Sequence, residues 1–162
     1  MNVATLLTRK LGIYLFAVLV AYGLAVVTAS QHVVSSLASM GVEVGLADRL
    51  AMTLADLAGM AGMFLPLIAF GFLVAFLVAF LVAALLRRWL DRWQTVLYLL
   101  AGAAALTALH LLLHLVFGLT PVAIARSAGG ILVQALAGAA GGWVYIALNR
   151  RFFPLSPFET IE

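Results

Sequence analysis

Two imidazoles, His110 and His114, are the side chains in this chain best spaced for chemistry, because residues four apart share one face of a helix. Thr107 extends that face by one turn. Such a pair can grip one metal ion or offer an axial nitrogen to a haem iron. His32 and four of the methionines, Met40, Met52, Met60 and Met63, fall toward the same end of the protein once the helices are laid out, and imidazole with thioether is a donor set suited to copper. The competing reading has the histidines bonding to neighbouring helices and the methionines filling irregular gaps. The chain is therefore read as carrying no cofactor and no metal, with haem or copper on His110 and His114 as the alternative.

Arg126 and Gln134 raise a different question, that of polar groups at membrane depth. Arg126 follows Pro121 by five residues, so a helix beginning at that proline carries it about 7.5 Å inward. An ionisable group so placed is paired or functional, or else its long stem carries the charge back to the surface. Glu43, Asp48 and Asp56 are the carboxylates available to it. Gln134 lies deeper and must find a partner, for which Thr107 or His110 on the preceding helix would serve. His32, His110, His114, Arg126 and Gln134 are thus the candidate ligand-binding residues, for a metal, haem, quinone or lipid headgroup.

Other chemistry is excluded by what the chain lacks. Without cysteine there is no disulfide, thiolate ligand or thiol nucleophile. The long apolar runs contain no carboxylate, no Ser/His/Asp set on one face and no glycine-rich phosphate loop. An intramembrane protease or proton-driven carrier would place such groups at depth. A non-enzymatic role is expected.

The elements that position these residues follow from composition. Of 162 residues, 66% are hydrophobic and 9% charged, and the mean hydropathy is +1.20. A soluble domain carries about 25% charged residues, so too little polar surface exists here to face water. The nine Lys and Arg and six Asp and Glu cluster, leaving uncharged stretches at 11–42, 57–86, 93–125 and 127–149. Each exceeds the roughly 20 residues that cross a bilayer as a helix. Strands of a membrane barrel would alternate in polarity, and these runs do not. The fold expected is an all-α integral membrane protein, a single four-transmembrane-helix bundle with spans at about 11–30, 63–88, 95–117 and 121–149 and a tail over 150–162.

Between the first two spans, segment 31–57 carries apolar residues at helical spacing with Asp48, Arg49, Thr53 and Asp56 on other faces. It reads as two short amphipathic helices hinged at 41–45 and lying on the outer membrane surface. Arg9 and Lys10 before an apolar run that ends in small residues also resemble a signal peptide, but the run is long enough to be retained as a first helix. The second span reads either as a separate helix or as continuous with the one before it and bent at Pro66, and Thr120 with Pro121 reads as the cap and first residue of the fourth. Seven basic residues, Arg9, Lys10, Arg87, Arg88, Arg92, Arg150 and Arg151, fall on one side, and Arg49 and Arg126 on the other. That asymmetry places both termini in the cytoplasm of a cell whose plasma (inner) membrane holds the protein, and assigns the basic patch to orientation and lipid headgroups rather than nucleic acid.

Packing surfaces are marked by small residues. Ala75 and Ala79 lie in a four-residue repeat on the second span beside a ridge of Phe72, Phe76 and Phe80. Gly130, Gly138, Gly141 and Gly142 line one side of the fourth, where glycine is costly unless another helix comes close. The role these features favour is a small membrane protein packing through its fourth helix, as a homo-oligomer or as an accessory subunit of a membrane complex. The alternatives are the ligand site above and a small oligomeric channel or transporter.

Overall fold

The computed structural model describes residues 2–85, 93–118 and 122–153, and these are helical throughout apart from short turns, with no strand among them. Helix α1 spans Val3–Ser39, α2 Leu46–Leu85, α3 Gln94–Phe117 and α4 Ala128–Phe152. A 3-10 turn, η1, covers Ala123–Arg126 just before α4. All four α-helices are long and apolar enough to cross a membrane.

The helices form a ring in which each packs on the two beside it: α1 on α2, α2 on α3, α3 on α4, and α4 back on α1. Every neighbouring pair is antiparallel. Tyr14 meets Ala69 while Tyr22 meets Leu57, and Gly102 meets Gly138 while Tyr98 meets Gly142, so residue numbers fall on one helix as they rise on the other. One end of the bundle carries the start of α1 and the end of α4, and the other carries the ends of α1 and α3.

The amphipathic segment expected at 31–57 does not exist as separate surface helices. Its first part continues α1 to Ser39 and its second part opens α2 at Leu46. No glycine or proline interrupts residues 24–40, and ending a helix early strands carbonyls that lipid cannot satisfy. The chain turns only at Gly41, whose φ of 84° is left-handed. There Gly41 N–H bonds to Ala38 O and Val42 N–H to Leu37 O, the paired bonds of a Schellman ending. Helix α2 likewise runs through Pro66 without a break in its assignment.

The fourth span also starts later than expected. Helix α4 begins at Ala128, with Ser127 as its cap, whose Oγ accepts the Gly130 N–H at 3.0 Å. Gly130 has to be glycine there, because a Cβ would lie 1.6 Å from the Ile124 carbonyl oxygen of η1. Residues 119–121, including Thr120 and Pro121, lie outside the described residues, as do Arg87, Arg88, Arg92 and 154–162 of the tail.

Helices α3 and α4 touch backbone to backbone. A Cβ on Gly102 would sit 2.2 Å from Gly138 O, one on Gly138 2.2 Å from Gly102 O, and one on Gly142 2.1 Å from Tyr98 O. Gly141 faces the other way, toward Phe72 and Ala21, with 2.7 Å and 2.8 Å left for an added carbon. The glycine-rich face of α4 is therefore occupied inside the chain, by α3 on one flank and by α1 and α2 on the other. Beside it Phe72 and Phe76 are buried, and Phe76, Tyr98 and Tyr145 cluster with ring centroids 4.6–5.4 Å apart. Phe80 of the same ridge is exposed, and Ala79 is buried.

Gly138→Ala is expected to destabilise the bundle by about 1–3 kcal/mol, since backbone rather than a flexible side chain must move. Gly59 on α2 has nothing within 4 Å of an added Cβ, so Gly59→Ala is expected to hold or raise stability. Thermal unfolding of both variants in mild detergent checks this; an equal response would mean that α3 and α4 are not this close.

Candidate functional site

Gln134 is the deepest polar side chain of the predicted set, with 1% of its surface exposed. Its Nε2 donates to Ala25 O at 3.0 Å and to Thr28 Oγ1 at 3.3 Å, both on α1. The partner expected on α3, Thr107 or His110, is not the one it takes. Gln134 stands seven residues before Gly141 and so only about 20° from it around α4. Gly141 faces Ala21, whereas the flank toward α3 is used by Gly138 and Gly142.

His110 is buried on α3, and its Nδ1 lies 2.8 Å from the carbonyl oxygen of Leu106 one turn back. A carbonyl only accepts, so Nδ1 carries a proton. His110 and Gln134 border the same internal cavity of about 10 Å³, together with Met60, Phe64, Ile68 and the α1 residues Ala25 and Ala29. They share this space without bonding to each other. The cavity has the volume of about one water molecule.

His114 does not join them. It is exposed near the end of α3. The register set by Gly102–Gly138 and Tyr98–Gly142 puts the first residue of α4 opposite residue 112, so α4 has not yet begun at the level of His114. The late start of α4 thus leaves His114 exposed while His110, one turn back on the same helix, is covered. Among the described residues no group of three or more His, Cys, Asp or Glu side chains gathers where it could hold a metal ion. The four methionines disperse too: Met60 borders the internal cavity, whereas Met40 and Met63 are 69% and 54% exposed.

His32 and Arg126 do come together. They line an open hollow of about 440 Å³ at the turn end, between the last turns of α1 and the η1–α4 junction, with Ser36, Ser127, Leu37 and Met40. Arg126 is the last residue of η1 and is exposed, not about 7.5 Å inside the fourth helix as its distance from Pro121 implied. None of Glu43, Asp48 and Asp56 lines the hollow.

Sequence reasoning missed the polar residues of α1. Tyr14 and Tyr22 donate their hydroxyls to the carbonyl oxygens of Ala69 and Leu57 on α2. Thr53 gives its one hydroxyl hydrogen to Arg49 O at 2.8 Å, so it accepts from Ser30 Oγ at 3.2 Å and from Gln31 Nε2 at 3.1 Å. Tyr14, Tyr22, Thr28 and Ser30 are the four hydroxyl side chains between residues 11 and 30, and all four take part in bonds between helices. The signal was present: a hydroxyl left in hydrocarbon is costly, so each implies a neighbour. Among the described residues no buried side-chain nitrogen or oxygen lacks a hydrogen-bond partner. Gln134, Ser30 and the α1 tyrosines thus tie helices together, while His110 bonds within its own helix.

No protein-family model matches the chain, and no curated protein or solved structure is significantly similar to it.

Gln134→Leu is expected to cost about 1 kcal/mol, the usual scale of an interhelical hydrogen bond in a membrane protein. Thr28→Val is expected to cost less, and less again in the Gln134→Leu background, because the shared bond is already gone. A double-mutant cycle of unfolding in mixed detergent micelles measures this, and strictly additive effects would deny the Gln134–Thr28 bond.

Proposed function

We propose that this chain is a non-enzymatic membrane protein that works by docking another transmembrane helix, from a second copy or from a larger complex, into the groove between α2 and α3. The observation that carries the reading is that groove, of about 510 Å³, with Gly71, Ala75, Ala104, Ala105 and Ala108 as its floor. Phe70, Val74, Leu112 and Val116 stand along it as an exposed apolar rim. In lipid there is no hydrophobic force between helices, so association depends on close van der Waals approach, which a small-residue floor with a bulky rim provides. The glycine face of α4, the surface first suspected, is filled by the chain's own helices and is not offered to a partner.

Two further observations support a structural role. The buried Ser30 and Gln134 bond to neighbouring helices, which suits a scaffold, while the buried His110 bonds within its own. Seven of nine basic residues lie at the ends and in the α2–α3 connection, which supports a plasma-membrane orientation with both termini cytoplasmic.

Placing a photo-crosslinking amino acid at Ala108, on the groove floor, tests the reading in native membranes. The expected result is one dominant crosslinked product, of twice the chain mass for a second copy or of another fixed mass for a different subunit. Ala104→Leu, which fills the groove from an exposed position, is expected to reduce that product about tenfold. No protein crosslink at Ala108, or one indifferent to Ala104→Leu, contradicts the proposal.

A further inference from the structure

The hollow at the turn end has a chemistry of its own, apart from the α2–α3 groove. Its polar side is made by His32, Ser36, Arg126 and Ser127, and its apolar side by Val33, Leu37 and Met40. Arg126 has no carboxylate partner among the described residues, and no acidic residue lines the hollow. The Ser36 hydroxyl donates to His32 O and Ser127 Oγ accepts the Gly130 N–H, which leaves the Arg126 guanidinium and the His32 imidazole as a polar pair with no negative charge to balance the arginine. The pair suits a phosphate, which a guanidinium binds through two parallel hydrogen bonds.

The N-terminus of α4 adds to this. Ser127 caps it through the Gly130 N–H, while the amides of Ala128 and Gly129 precede the first intrahelical bond, which Ile131 N–H makes to Ser127 O. The positive end of a 25-residue helix thus opens beside Arg126.

Depth decides what kind of phosphate fits. Helix α4 is about 37 Å long against a hydrocarbon core of about 30 Å, and with Arg150 and Arg151 of its last turn at the opposite interface its first turn reaches headgroup level. Helix α1 continues past that level to Ser39 and carries Leu37 and Met40 as the apolar side. The cationic groups therefore face headgroup depth, with apolar surface beside them.

We infer that the His32–Arg126 hollow binds a phosphate group, presented by the headgroup of a membrane phospholipid whose acyl chains descend from it into the bilayer. The ligand chemistry is shared with free phosphate, and the two sources separate by experiment.

The full chain, purified in a neutral maltoside detergent, is titrated in three arms: dioleoyl phosphatidylglycerol, inorganic phosphate, and dioleoyl glycerol as the same chains without phosphate. Native mass spectrometry reads the bound species, and the thermal midpoint reads stabilisation. The expected result is one saturable phosphatidylglycerol with no corresponding dioleoyl glycerol. Arg126→Gln is expected to weaken it about tenfold, the scale of one charged hydrogen bond, with His32→Gln giving a smaller loss. The lipid-free midpoint of Arg126→Gln is expected to match that of the parent, because the side chain is exposed. Saturable binding of inorganic phosphate that Arg126→Gln abolishes keeps the site and assigns it to a free anion. Lipid binding that dioleoyl glycerol reproduces, or that Arg126→Gln leaves unchanged, overturns the inference, as does the absence of binding in every arm.

Discussion

The contact on which the rest of the structure depends is the backbone approach of α3 and α4 at Gly102, Gly138 and Gly142. Added carbons at these positions would fall 2.1–2.2 Å from carbonyl oxygens of the facing helix, so nothing larger than hydrogen fits. Such an approach gives dispersion contact along two backbones and brings carbonyl oxygens close to Cα–H groups, the kind of attraction available when lipid and side chain are equally apolar. It also sets the rotation of α4. With Gly138 and Gly142 turned to α3, Gly141 must turn to Phe72 and Ala21, and Gln134 must turn to α1.

From that rotation the polar architecture follows. Helix α1 becomes the element against which both sides are fastened: α2 through the hydroxyls of Tyr14, Tyr22 and Ser30, and α4 through Ala25 and Thr28. Each bond is worth little alone, about 1 kcal/mol or less in a bilayer, but each forbids a rotation that would strand a polar group in hydrocarbon. The bonds thus specify one arrangement among many apolar packings of similar energy.

Four apolar helices were legible from the charge-free stretches, because nothing but a helix or a barrel crosses lipid and the runs do not alternate. That Gln134 must be buried was legible too; its partner was not, since the two flanks of α4 carry equally small residues and only Gly102 on α3 breaks the tie. Gly102 could have been found as the one glycine in its span. The end of α1 was misjudged because polarity rises after residue 30 while the helical register continues unbroken to Gly41, whereas the turn at 41–45 and the run of the next helix into the second span were legible. The start of α4 was misjudged because Thr120-Pro121 and Ser127 are both good helix caps, and the choice rests on Gly130 admitting the Ile124 carbonyl, a contact invisible in one dimension. The same shift explains why His110 is covered and His114 is not, while Arg126 and His32 line one hollow.

A bundle closed through its own glycines has its outer faces left for partners and lipids, which is where the α2–α3 groove and the turn-end hollow lie. Everything rests on the glycine contact being within one chain. Because the protein has no cysteine, spin labels can be introduced singly at Leu100 on α3 and Leu136 on α4, both exposed. Pulsed electron paramagnetic resonance on the doubly labelled chain is expected to give one short distance that persists at full amplitude when labelled protein is diluted into an excess of unlabelled protein. A short distance that fades on dilution would show that α4 packs its glycines against another copy, and would contradict the structure described.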